Sequence, residues 1–147
     1  MGKRLAEVYQ QRTMKEYTKF FQMLSLSYPK AKKIKVVQDN LNTHKSASFY
    51  HNLLAEHAFS LAQRFEFFYT PKSASWLNMI EIEFSALARI CLNRRIPSID
   101  KLRHEVLSII NERNFKRIKF DWQFSIDSAR NKFNSHYINL FSGNLKY

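Results

Sequence analysis

Apolar positions along this chain switch period several times, from helical three-and-four spacing to short strand-like runs. Tyr17, Phe20, Phe21 and Leu24 share one helical face, so residues 15–26 read as a helix, which Pro29 closes. The run "KIKVVQ" reads as a short buried strand ending at Asp39, and the aromatic "FEFFYT" as a second strand stopped by Pro71. Between them, Ser46 to Gln63 is helical in pattern but broken around Glu56, which predicts two short helices. From Trp76 onward, Leu77, Ile80, Phe84, Leu87 and Cys91 trace the face of another helix. A further helix opens at "IPSID", with Ser98 as N-cap and Ile99, Leu102, Val106, Ile109 and Ile110 on its apolar side. "RLAEVYQQRT" reads as a weakly alternating strand, "KRIKFDWQF" as extended, Ser125 to Tyr137 as a last short helix, and residues 138–147 as a loose tail.

Strand and helix alternate, which predicts an α/β fold with parallel pairing. In open sheets of this kind, ligands gather beyond the carboxyl ends of the strands. Asp39 stands at such an end, inside "VVQDNLNTH". Two readings compete there. The strand presents a carboxylate to a ligand, or it exits through an ordinary Asx-turn, for which "DNLNTH" has suitable residues.

Composition narrows the choice. The chain has 147 residues, enough for one domain, and 13 phenylalanines as core material. Its two glycines, Gly2 and Gly143, leave no glycine-rich phosphate loop. The single cysteine, Cys91, excludes an internal disulfide and a cysteine-rich zinc site, and its apolar neighbours predict a buried, inert thiol. No signal-peptide core or membrane-length apolar run occurs, so a cytoplasmic location without membrane partners is expected.

Charge points to a polyanion. Twenty-four Lys and Arg stand against twelve Asp and Glu, a formal net charge of +12. Such an excess favours nucleic acid, because each neutralised phosphate releases counterions. Arg89, Arg94 and Arg95 form one basic group. A second group, Arg113, Lys116, Arg117 and Lys119, is interleaved with Phe115, Phe120 and Trp122. Taken singly, each of these fits a solvated face; as a set they fit a DNA backbone with exposed bases nearby.

Asp39 has a possible partner in "WLNMIEIEF", residues 76–84, where Glu81 and Glu83 fall in the first turns of a helix. Converging carboxylates without cysteine or histidine ligands suit a hard cation such as Mg²⁺, and in a basic protein its natural substrate is a phosphodiester. The macrodipole also favours glutamates at a helix start without any metal. Periodicity does not choose between Glu81 and Glu83, which flank the apolar stripe on opposite sides. The five histidines form no metal-ligand spacing, and only His44 lies near a candidate site.

"VVQDNLNTH" followed by "RFEFFYTPKSASWLNMIEIEFSALARICLNRRIP" resembles the catalytic domain of bacterial insertion-sequence transposases of the mariner-type superfamily. The resemblance runs from about Gln11 to Tyr137. It implies an RNase H-like α/β fold with additional C-terminal helices, and a DDE acid triad that cleaves and joins DNA with Mg²⁺ or Mn²⁺. The family's strand-end "DN…H" motif falls on Asp39, Asn40 and His44. Its "LNxIE" motif falls on Leu77, Asn78, Ile80 and Glu81, which selects Glu81 and leaves Glu83 as the fallback. Asn40, His44 and Asn78 would orient the acids or the DNA, and Trp76 would pack beneath the site. Double-stranded DNA at transposon ends is the implied partner, and the nucleoid the implied place of action.

The chain departs from the family before residue 15. The first acid belongs on a central strand upstream of the first helix, where this chain offers only Glu7. The expectation is therefore that residues 1–137 form the C-terminal portion of a catalytic domain with two of three acids. Such a portion would be inactive without its N-terminal half or a full-length transposase, and the strand ending at Asp39 would expose an unpaired edge. The competing expectation is a non-enzymatic basic DNA-binding remnant.

Overall fold

The computed structural model describes residues 3–39, 45–70 and 79–119, together with scattered positions between 125 and 134. The elements are α1 (Met14–Ser27), β1 (Ile34–Gln38), α2 (Ala47–Asn52), α3 (Ala55–Gln63), β2 (Phe65–Tyr69), α4 (Ile80–Leu87), which runs on into a π-helical turn (Ala88–Leu92), and α5 (Ile99–Phe115). This is a mixed α/β arrangement whose two strands are parallel, with Ile34 opposite Phe65 and Gln38 opposite Tyr69.

Local chemistry sets most of these boundaries. Thr13 caps α1, its hydroxyl accepting from the Lys15 N–H at 3.2 Å and donating to the Glu16 carboxylate. At the other end Arg64 donates to the carbonyls of Ser25 (3.3 Å) and Tyr28 (2.7 Å), adding to the bonds these accept from the Tyr28 and Ala31 N–H groups. Ser98 caps α5 by accepting from the Lys101 N–H at 3.2 Å, as its position before an apolar-periodic run predicts. The break between α2 and α3 falls at Leu53 and Leu54, slightly before the expected Glu56.

Two cores result. The first joins Phe21, Phe49, Ala58, Leu61 and Phe65, with Tyr17, Ile34, Val36 and Phe67 packed against them. Phe49 is fully buried, its ring within 6.5 Å of the rings of Tyr17, Phe21, Phe65 and Phe67. Where α1 crosses α2, Thr18 and Ser48 are small enough for close approach, and the Thr18 hydroxyl donates to the Ser48 carbonyl at 3.1 Å. The second core joins Leu87, Cys91, Val106 and Ile110, with Ala6, Val8, Leu102 and Ile109 against it. Cys91 is buried there, and burial pushes its thiol pKa up, in keeping with an inert role.

Several expectations are corrected. β1 is buried on one face only: Ile34 and Val36 turn to the first core, while Val37 is 58% exposed. On β2, Phe68 is likewise exposed, and Lys35 lies over its ring at 5.9 Å. Among the described residues the sheet thus has one covered face, and β1 pairs with β2 alone. Residues 3–13 contain no strand. Their backbone instead finds side chains: the Asn114 amide donates to the Arg4 carbonyl and accepts from the Arg4 N–H, both at 2.8 Å. Arg103 donates to the Val8 carbonyl at 3.2 Å.

The expected face of α4 is also shifted. Leu87 and Cys91 are buried, but Ile80 and Phe84 are exposed, and Glu83 and Ala86 turn inward instead. An ion-pair network at Glu83, described below, sets that rotation. Past Asn114 the chain is not yet extended: α5 continues to Phe115, and Lys116 and Arg117 form a turn. The Arg117 N–H donates to the Asn114 carbonyl and the Ile118 N–H to the Arg113 carbonyl, both at 3.1 Å, with Arg117 at φ 51°. This is a Schellman motif with arginine in the left-handed position that usually takes glycine. Residues 120–124 and most of the predicted 125–137 helix lie outside the described residues, although Asp127, Ser128, Arg130, Asn131 and Asn134 are helical. The 138–147 tail lies outside them too. No described helix is long and apolar enough to cross a membrane.

Candidate active site

Asp39 leaves β1 at its carboxyl end, half-buried. The ladder continues one step past the strands, the Thr70 N–H donating to the Gln38 carbonyl at 2.9 Å, so the chain exits at Asp39 and Thr70 start from one rim. Beneath that rim the Tyr17 hydroxyl donates to Gln38 Oε1 at 2.9 Å. The Tyr17 pKa is well above the usual tyrosine range, chiefly through burial; the Gln38 bond opposes this, and the charges of Tyr69 and Asp39 add to it. The Asp39 carboxylate therefore lies within electrostatic reach of a half-buried phenol. From the sequence Tyr17 was legible only as part of a helix face; its polar role depends on the position of Gln38 across the fold.

Glu81 and Glu83 both sit in the first turn of α4, and the fold separates them. Glu81 is exposed, whereas Glu83 is 4% exposed. Glu83 Oε1 accepts from Arg4 Nε at 2.7 Å and from Arg113 Nη2 at 3.0 Å, and its Oε2 accepts from Arg113 Nε at 3.2 Å. Arg113 thus makes a two-pronged contact, and Arg4 adds a second guanidinium. Burial raises the Glu83 pKa, but the hydrogen bonds and charges of Arg113 and Arg4 outweigh it, so the carboxyl lies below its ordinary range. Both oxygens of this fallback ligand are therefore already held by cations.

The two remaining acids stand on elements of different cores. Asp39 ends a strand of the aromatic core, and Glu81 lies on the helix that enters the second core. Among the described residues no three His, Cys, Asp or Glu side chains gather in a metal-holding group. Asn40, His44, Trp76 and Asn78 lie outside the described residues.

The basic residues divide. Arg94 pairs with Glu105 at 2.7 Å, Lys116 with Glu112 at 2.5 Å, and Arg113 with Glu83. Arg89, Arg95, Arg117 and Lys119 are exposed, and among the described residues none of them forms a salt bridge. Arg4 was not legible as a site residue, because nothing local marks an arginine that meets a glutamate 79 positions away.

No curated protein and no solved structure matches this chain. A family model described as DDE superfamily endonuclease matches residues 1–103 of the 147. That span contains the β1 exit at Asp39 and the first turn of α4. The chain belongs to the DDE superfamily endonuclease family.

Proposed function

We propose that this chain supplies Asp39 and Glu81 to a transposase active centre that nicks DNA phosphodiesters with water and then joins the freed 3′-hydroxyl to a target strand, the hydroxyl attacking a target phosphodiester as the target 3′-oxygen leaves. The carrying observation is that Asp39 stands at the carboxyl rim of a parallel strand pair inside the span matched by the endonuclease family. The fold proposed around it is RNase H-like, of the mariner-type bacterial insertion-sequence class.

The donor set suits a hard cation. Asp39 and Glu81 offer only carboxylate oxygens, and Glu83 is unsuited because its oxygens accept from Arg4 and Arg113. Asp39 and Glu81 would hold Mg²⁺ or Mn²⁺, which when bound supplies Lewis-acid polarisation of the scissile phosphodiester. Asn40, His44, Asn78 and Trp76 are proposed to serve the same site, orienting the acids or the DNA. Arg89, Arg95, Arg117 and Lys119 contact the phosphate backbone of transposon ends, with the exposed side chains of Arg94 and Lys116 able to exchange their glutamate partners for phosphate. Arg113, held by Glu83, serves the fold rather than the DNA. The action takes place in the cytoplasm, on the nucleoid.

Two carboxylates fall short of three, and the third would stand on a further strand, supplied in the test by a polypeptide that carries it, such as an N-terminal half or a full-length transposase. Support comes from the outer edge of β1, which has no strand partner among the described residues. Mixing the chain with such a polypeptide, Mg²⁺ and element-end DNA is expected to restore nicking. Asp39→Asn or Glu81→Gln in this chain then returns it to background. Absence of nicking in the mixture overturns the proposal.

A second reading, a non-catalytic DNA-binding remnant, is favoured by the net charge of +12 and the exposed arginines. It predicts binding that falls steeply with salt and is not weakened by Asp39→Asn, with no nicking in the mixture.

A further inference from the structure

Glu81 lies two residues before Glu83 on a helix of eight residues, and the two side chains have opposite environments. Near Glu81 this helix has little apolar anchorage, because Ile80, Ile82 and Phe84 are all exposed. Its buried apolar anchors, Ala86 and Leu87, come later. The nearest fixed point is the Glu83 carboxylate, where α4, α5 and the irregular segment 3–13 meet.

Arg4 is well placed to hold that point. Its side chain is 8% exposed and that of Glu83 is 5% exposed, so their 2.7 Å ion pair is shielded from solvent. Its backbone is fixed independently by the paired hydrogen bonds to Asn114, and Ala6 and Val8 anchor the segment on the second core. Arg113 approaches the same carboxylate from α5.

We propose that Arg4 is a positioning residue for Glu81: the N-terminal segment reaches to α4 and, through Glu83, sets the orientation of the turn that presents the catalytic acid. The inference rests on the assignment of Glu81 above. It makes residues 3–13, which carry no regular secondary structure, a working part of the active centre. Groups that fix the orientation of a metal-binding carboxylate contribute strongly to metal affinity without touching the metal.

The test uses the full chain and Mn²⁺ as probe, with apparent affinity read from paramagnetic broadening of the Glu81 amide resonance. Turnover and KM for DNA are read in the mixed nicking assay. Arg4→Gln is expected to weaken Mn²⁺ affinity about 10-fold and to lower kcat with KM for DNA unchanged. Arg4→Lys, which keeps the charge, is expected to recover part of both. In a Glu81→Gln background, Arg4→Gln is expected to cost no further Mn²⁺ affinity, because its effect passes through the Glu81 carboxylate.

Unchanged Mn²⁺ affinity and kcat in Arg4→Gln overturn the inference, and so does an equal loss with and without the Glu81 carboxylate. If Arg4→Gln does not fold, Arg4→Lys carries the same comparison, with a smaller loss expected and no loss overturning it. The two proposals fail separately. Asp39→Asn and Glu81→Gln without effect remove the assigned function, whereas their loss of activity beside an intact Arg4→Gln removes only the positioning role.

Discussion

The two cores of this protein are built on different principles. The first, around Phe49, is a cluster of aromatic rings from α1, α2 and β2, with Ile34 and Val36 of β1 packed against it, all within residues 17–67. The second, around Leu87 and Val106, has a smaller apolar centre, and its N-terminal segment is attached through Arg4, Asn114 and Glu83, over sequence separations of 79 to 110 residues. Apolar burial is non-directional and tolerates many pairings, so periodicity alone places its members. A buried ion-pair network is directional, and each group left without its partner is costly. One half of the molecule is thus held by bulk burial and the other by a few specific polar contacts.

The contrast can be probed by removing one residue from each core. Phe49→Ala is expected to have the largest effect, destabilising the chain by about 3–5 kcal/mol through lost burial and an unfilled cavity. Urea unfolding checks it, and a loss under about 1 kcal/mol would contradict a core centred on that ring.

Glu83→Gln comes next. It leaves two buried guanidiniums with a neutral partner, and a loss of about 3 kcal/mol is expected. It should also change the acid limb of stability. The Glu83 pKa in the fold lies below the ordinary glutamate value, so its contribution is complete above that value and is lost as pH falls through the folded pKa. Unfolding midpoints measured from pH 6 down to about 3 are expected to fall more gently in Glu83→Gln than in the parent. A parallel fall in both would show that the network contributes little.

The smallest effect is local to the end of α5. Arg117→Gly removes a side chain from a left-handed conformation, φ 51°, and is expected to raise stability by about 1 kcal/mol. Because Arg117 is exposed and assigned to DNA, the same variant should lower the salt sensitivity of DNA binding by about one phosphate contact. Higher stability with an unchanged salt slope would leave Arg117 a role in the turn alone.

Much of the first half was legible residue by residue. The α1 face, both strands and the strand-end position of Asp39 follow from local periodicity and from Pro29. Ser98 announced α5 because an N-cap is a property of one residue and its next three. The α4 face was not legible. Ile80 and Phe84 share the helical spacing of Leu87, yet they remain exposed because Glu83, on another side of the wheel, is drawn inward by cations from distant segments. Likewise "RLAEVYQQRT" alternates like a strand, but its hydrogen bonds go to Asn114 and Arg103 instead of to a neighbouring strand.

By itself, the sequence determined the α/β class, the parallel crossover that brings Asp39 to a strand rim, and a basic character suited to DNA. These depend on properties that neighbouring residues share: period, volume, caps and net charge. Only the tertiary structure decided which glutamate of "IEIE" is held by arginines and which is exposed, and that Arg4 belongs beside α4. That choice rests on desolvated charges, whose energy depends on partners brought together from opposite ends of the chain and so has no local trace in the sequence.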